Sequence, residues 1–260
     1  MGWKLTGKIV FMFLGFFPLY GEENFILING ITHTIMQEFG PHINERVTPA
    51  CSFNIALSLM GYDAEILKDE KTPIWDFQEG YDDFSPSWKT FQNPQSWMAQ
   101  SCTWFSKIIA LQLGVETVQN YLTRLEYGNQ NISGGLGKPG QMNSAWISSS
   151  LKISPHEQVH FIQKMIQGKI PVSNHAIQMT KRLLLKEELS KGWKLYGKTG
   201  LGTLFRKGDE NLKVRWFVGW IENDRNFFPF AYQMRGKEID VGQAVPRVKQ
   251  LLEESNAINF

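Results

Sequence analysis

Cys51 and Asn54 stand three residues apart at the head of an apolar run, Phe53 to Met60, whose spacing predicts a helix. Residues three apart share one helix face. A nucleophile in the first turn with a proton acceptor one turn later is the arrangement covalent acyl transfer uses. Here a thiol fills the nucleophile's place and a carboxamide the acceptor's. An unperturbed thiol, with a pKa of about 8.5, is already a few per cent thiolate at neutral pH, and a helix N-terminus raises that fraction. A carboxamide has no basic lone pair near neutrality, and losing a positioned general base costs about 10²–10⁴-fold in rate. A slip of one residue makes Ser52 the nucleophile instead, but Ile55 then stands in the acceptor's place and the hydroxyl gains nothing. Downstream lie Ser101-Cys102-Thr103, Tyr127-Gly128-Asn129, Ala145-Trp146-Ile147 and Lys198-Thr199-Gly200-Leu201.

Two other groupings have a chemical and a plainer reading. His156-Glu157-Gln158-Val159-His160 matches the H-E-x-x-H pattern of zinc peptidases. Ser154-Pro155-His156-Glu157 is equally a capping box with proline at the first helical position, which occupies Glu157 with backbone N–H groups. No recognisable partner motif supplies a third zinc ligand, so no metal site is expected and the zinc peptidase is the weakest functional alternative. Gly134 to Gly140 is glycine-rich but lacks the phosphate-loop pattern and follows no strand, which predicts a mobile loop.

The elements that must position these residues are legible at both ends of the chain. Asn24 to Ile28 and Thr32 to Phe39 predict two strands around an Asn29-Gly30 turn. Val214 to Trp220 and Phe227 to Tyr232 predict a second hairpin. Between them, Phe53–Met60, Ser101–Leu113, Glu116–Leu125, Pro155–Gln167 and His175–Leu189 carry apolar residues at helical spacing, and Pro246–Ser255 is amphipathic through Val248, Leu251 and Leu252. Strands first and last with helices at about 53–190 predict an α+β fold, an antiparallel sheet drawn from both chain ends and packed against a helical region.

The 260 residues, 42% hydrophobic and 20% charged, suffice for a sizeable core. A net charge of +2 from 27 basic and 25 acidic residues, with no basic run, excludes nucleic acid as the expected partner. Two lysines followed by an apolar stretch from Ile9 to Tyr20 predict a secretory leader over residues 1–21, leaving 22–260 as one domain exported to the periplasm or exterior, off the membrane once the leader is removed. A monomer or homodimer is expected. Export into an oxidising compartment leaves the states of Cys51 and Cys102, free or paired, open.

Taken together and in this order, the segments resemble the class D β-lactamases, the oxacillinases, over essentially the whole chain after the leader. Members read approximately P-x-S-T-F-K-I-A at the nucleophile, then S-x-V, Y-G-N, F/A-W-L and K-T-G. The resemblance implies that Cys51 occupies the acylated serine's position, Asn54 that of the carbamylated lysine base, Ser101 that of a proton-shuttling serine, and Trp146 that of the tryptophan steadying the carbamate. Lys198, Thr199 and Gly200 would face the substrate carboxylate, with Leu201 beside them, and Thr103 stands where valine is usual. It implies a β-lactam or a peptidoglycan-like small ligand, no metal, and no carbamylated lysine, since Asn54 cannot carry that group. It also places the segments bearing Cys51 and Cys102 side by side, which makes a disulfide one of the open states. Many members hold the substrate carboxylate with an arginine four residues before a proline. Pro246 puts Gly242 there, with Arg235 and Arg247 as possible substitutes. The resemblance therefore implies an acyl-enzyme hydrolase of weak turnover, or else a catalytically silent binding protein.

Overall fold

The protein, examined as a computed structural model, is described over residues 21–135, 144–206, 209–240 and 242–255. The predicted leader up to Tyr20 and the glycine-rich loop beyond Gly135 lie outside these residues. The strands are β1 (Glu22–Ile28), β2 (Ile35–Phe39), β3 (Leu185–Glu188), β4 (Lys194–Arg206), β5 (Asp209–Glu222) and β6 (Phe227–Gly236). They form one antiparallel sheet in the order β2-β1-β6-β5-β4-β3. Because β6 pairs with β1 as well as β5, the N-terminal hairpin completes the C-terminal meander, as the α+β reading predicts.

The helices are α1 (Asn54–Asp63), α2 (Pro94–Gln100), α3 (Thr103–Leu113), α4 (Val115–Arg124), α5 (Pro155–Ile166), α6 (Asn174–Leu184) and α7 (Ala244–Glu254). Strand alternation sorts β5 between two cores. Val214, Trp216, Val218 and Trp220 join the large cluster with α1 and its neighbours, while Phe217 and Ile221 pack under α7 against Val248, Leu251 and Leu252. Asn54 through Tyr62 are all buried, so α1 runs through the middle of the helical region with no polar face.

Three local expectations differ from the structure. The Asn29-Gly30 turn is a longer loop, in which the Asn29 side chain accepts from the N–H groups of Ile31 and Thr32 and holds an Asx turn. α2, which carries Trp97, has too few residues for the periodicity to show. The helix expected to reach Leu189 stops at Leu184, because Leu185–Glu188 pairs with β4 through Leu185↔Tyr196 and Glu188↔Lys194. The helix-favouring Leu-Lys-Glu-Glu is overridden by an open strand edge, as tertiary context routinely overrides propensity. That pairing ends before Lys198, so Lys198 to Leu201 keep one edge unpaired by β3.

Leu252 is fully buried between α7 and the sheet. Leu252→Ala is expected to destabilise the protein by about 2–5 kcal/mol, read as a lower urea midpoint with an unchanged m-value.

Candidate active site

The segment entering the site is held from several sides. Val47 bridges Ile153. Thr48 Oγ1 donates to the Trp146 carbonyl at 2.7 Å and accepts from Ser148 N at 2.9 Å, and Ala50 N donates to the same Trp146 carbonyl at 3.1 Å. From β5, the Trp216 indole donates to the Thr48 carbonyl at 2.8 Å. Ala50 has φ 47°, a left-handed conformation that a non-glycine residue rarely adopts, directly before the thiol. A 3-10 turn over Ala50–Phe53 then delivers the chain into α1.

Cys51 opens onto a cavity of about 610 Å³ whose lining includes Ser101, Thr103, Thr199, Gly200 and Leu201, within the range of small-molecule sites. Ser101 caps α2 in a left-handed conformation, φ 57° and ψ 38°. The Cys51 thiol points at the Ser101 carbonyl, 4.0 Å away. Ser101 Oγ accepts from Lys198 Nζ, and Lys198 also donates to the Thr199 carbonyl at 3.1 Å. Lys198 is only 1% exposed and lies behind the cavity wall. A Cβ on Gly200 would fall 2.9 Å from both Pro49 O and Ser52 N, so only glycine lets β4 pass this close to the nucleophile turn.

Burial pushes the Cys51 thiol above its ordinary pKa, and the charges of Lys198 and Arg215 with the Ser101 hydroxyl offset this only in part. The thiolate enrichment expected from a helix N-terminus is thus reversed by desolvation. Burial lowers Lys198 to about 8, with the nearby Cys51 acting the other way and the Lys186 and Arg215 charges reinforcing the fall. A thiol made less acidic and an ammonium made more acidic by the same burial therefore meet around one serine. Cys51 and Cys102 are both free, and burial lifts Cys102 to about 12.

Asn54 is completely buried and does not line the cavity. Its Oδ1 accepts from Ser106 Oγ at 3.1 Å, which in turn accepts from the Trp97 indole at 2.8 Å, while Asn54 Nδ2 has no partner. Trp146 packs at a tilt on Phe53 with ring centroids 5.2 Å apart and acts on the turn through its carbonyl. Ser52, the alternative nucleophile, lies on the wrong side. It is fully buried, donates to Pro49 O at 2.7 Å and accepts from Gln158 Nε2 at 2.9 Å, because one step along the turn rotates the side chain into the core.

Tyr127-Gly128-Asn129 serves as scaffold. Asn129 exchanges bonds of 2.9 Å with Ser150 O and Lys152 N, and a Cβ on Gly128 would fall 2.1 Å from Lys152 O. These bonds steady the Leu151–Ile153 stretch that bridges Val47. The zinc reading fails on its central residue: Glu157 caps Ser154 and pairs with Arg46, and among the described residues no three His, Cys, Asp or Glu side chains gather as metal ligands. Neither substitute arginine reaches the cavity. Arg235 pairs with Glu45 and Arg247 with Glu23. Arg215 does line it. The signal is an arginine within the strand run Val214 to Trp220, on the face that alternation gives it together with Lys213.

A penicillin-recognising transpeptidase domain is what this sheet, its central buried helix and the Cys51–Ser101–Lys198 grouping define, and residues 34–253 match the family described as "Penicillin binding protein transpeptidase domain". Within that group the chain belongs to the class D β-lactamases. It is 36% identical over 221 residues to beta-lactamase OXA-9 of Klebsiella pneumoniae, covering 82% of this chain and 79% of that one. The crystal structure of the OXA-427 class D β-lactamase superimposes with a TM-score of 0.82 at 33% identity, covering 90% of this chain and 98% of that one. The methicillin resistance mecR1 protein of Staphylococcus aureus is 30% identical over 269 residues, 99% of this chain but 41% of that longer protein.

In the native protein, iodoacetamide is expected to alkylate Cys51 slowly at neutral pH and faster as pH rises, because a raised pKa keeps the thiol protonated below it. Cys102 is expected to stay unmodified until denaturation. Intact mass and peptide mapping read both. A rate already at its plateau at neutral pH contradicts the raised pKa. Gly200→Ala is expected to cost about 1–3 kcal/mol in stability, measured by denaturant unfolding.

Proposed function

We propose that the protein binds penicillin-type β-lactams and accepts the opened ring on Cys51 as a thioester that it releases slowly. The single observation carrying this reading is the pairing of a thiol that faces Ser101 and the buried Lys198 with a tethered carboxamide at position 54. In acylation the thiol proton passes to Ser101 Oγ, whose own proton passes to neutral Lys198 Nζ. Sulfur then bonds to the lactam carbonyl carbon, and as the carbon–nitrogen bond breaks the proton returns along the same path to the leaving nitrogen. Lys198 lies within reach because it already bonds to Ser101. Deacylation needs a base to activate water, and Asn54 offers none. Relatives named as β-lactamases and for methicillin resistance support the ligand class. The leader pattern supports export, which cell fractionation tests.

A second reading is a catalytically silent binder of a β-lactam or a peptidoglycan-derived ligand. The raised pKa of Cys51 favours it. A fluorescent penicillin, a chromogenic cephalosporin and intact mass separate the two. One adduct at Cys51 with little hydrolysis is the expected result. Steady hydrolysis sinks the slow-release step, and no adduct favours the silent binder. Acylation is expected to rise as pH passes about 8 and Lys198 loses its proton, and Lys198→Gln should abolish that rise. Restoring serine and lysine together, Cys51→Ser with Asn54→Lys, is expected to raise steady hydrolysis by about 10²–10⁴-fold.

A further inference from the structure

Arg215 is a charged group of the cavity wall whose buried donor the fold leaves without a partner. It stands on β5 directly opposite Leu201, so both side chains leave the same face of the sheet, next to the Thr199–Gly200 segment. It lines the same cavity as Cys51, Ser101 and Thr199. Its Nε is buried and has no hydrogen-bond partner, and no carboxylate among the described residues forms an ion pair with it. The nearest acidic influence, Asp240, turns its oxygens to Gly242 N at 2.8 Å and Gln243 Nε2 at 3.2 Å. A half-buried guanidinium with an orphaned donor is costly to maintain, and the planar fork is the side chain best matched to a carboxylate.

Lys213 also lines the cavity but is exposed to solvent, and the remaining cations near the site are already committed. Lys198 is bonded to Ser101 and the Thr199 carbonyl, Lys107 pairs with Asp82 at 2.8 Å, and Arg235 and Arg247 are held by Glu45 and Glu23. At position 242 the chain has only a glycine. We infer that Arg215, reaching the cavity from β5, holds the carboxylate of the bound β-lactam and so selects for acidic ligands. The inference rests on the proposed ligand class, and it replaces a contact from the segment before α7 with one from the strand next to β4. Arg215 approaches beside Thr199 and Leu201, so a carboxylate held there lies along the open edge of β4 with its acyl carbon toward Cys51.

The test measures binding without chemistry. In a Cys51→Ala background, calorimetric titration compares benzylpenicillin with its methyl ester. The acid is expected to bind about 10- to 100-fold more tightly, the range for a hydrogen bond to a charged group. Adding Arg215→Gln should bring the acid down to the ester's affinity, and Arg215→Lys should recover part of the preference. Thermal melting should show both variants folded. Equal affinity of acid and ester before Arg215 is changed overturns the inference, as does equal weakening of both by Arg215→Gln, or no binding of the acid. Intact-mass acylation of the unaltered protein judges the thioester reading separately. A preference for the acid with no adduct sinks acyl transfer and keeps Arg215. An adduct formed equally from acid and ester sinks Arg215 alone.

Discussion

The passage of β4 over the turn that carries Cys51 is the contact on which the site depends. At Gly200 the strand backbone comes so close to Pro49 and Ser52 that even one added carbon meets backbone atoms at 2.9 Å. From the neighbouring strand, Trp216 reaches through to the Thr48 carbonyl, and from the far side the Trp146 carbonyl takes bonds from Thr48 and Ala50. The turn is thus held between the sheet and the helical region. Since the sheet is assembled from both chain ends, the nucleophile's geometry exists only when the whole domain has closed. The left-handed conformations of Ala50 and Ser101 are maintained by that closure, each costing of order 1–3 kcal/mol that surrounding contacts must offset.

Closure also sets the electrostatics. Lys198 is removed from water while bonded to a hydroxyl and a carbonyl, neither of them charged, so desolvation dominates its titration. The same burial raises the thiol, and the two groups act on each other: the thiolate favours the ammonium and the ammonium favours the thiolate. With Arg215 alongside, the cavity gathers positive charge that a carboxylate-bearing ligand would neutralise. Such a ligand, by engaging Arg215, would return Lys198 toward its charged form and, by cancelling a charge that favours the thiolate, leave the thiol more firmly protonated.

Much of this was legible in the chain. The hairpins at the two chain ends, the helical centre and the amphipathic tail followed from periodicity, and the order of short segments fixed the family. The segments that bend or change state were not legible. α2 is too short to show a period, and Leu185–Glu188 has a helical composition but sits where β4 offers unpaired backbone. Site residues divide in the same way. Cys51, Ser101, Thr199 and Gly200 converge on the cavity because each lies within a motif tied to a turn or strand end. Asn54 and Trp146 lie beneath it rather than in it, since α1 is buried on every side. Arg215 could be found only by asking why a charge interrupts an aromatic strand, and its direction depends on the pairing with Leu201.

The substitution at Asn54 weighs differently on the two halves of an acyl-transfer cycle because of where that residue sits. Attack by the thiol can draw on Lys198 and Ser101, which approach Cys51 from the β4 side. Water attacking a thioester requires a base in a place from which it can reach that water, and Lys198 is already bonded to Ser101 and the Thr199 carbonyl. Asn54 faces Ser106 and Trp97 instead, with an unpartnered Nδ2 in a wholly buried setting. An orphaned buried donor costs about 1–3 kcal/mol, so the amide is not a well-satisfied replacement but a polar group left in a buried setting beside Ser106 and Trp97. An amine placed there would be desolvated and therefore pushed toward its neutral form. What position 54 lacks is thus one functional group, while the surroundings that would tune such a group are still built into α1, α2 and α3.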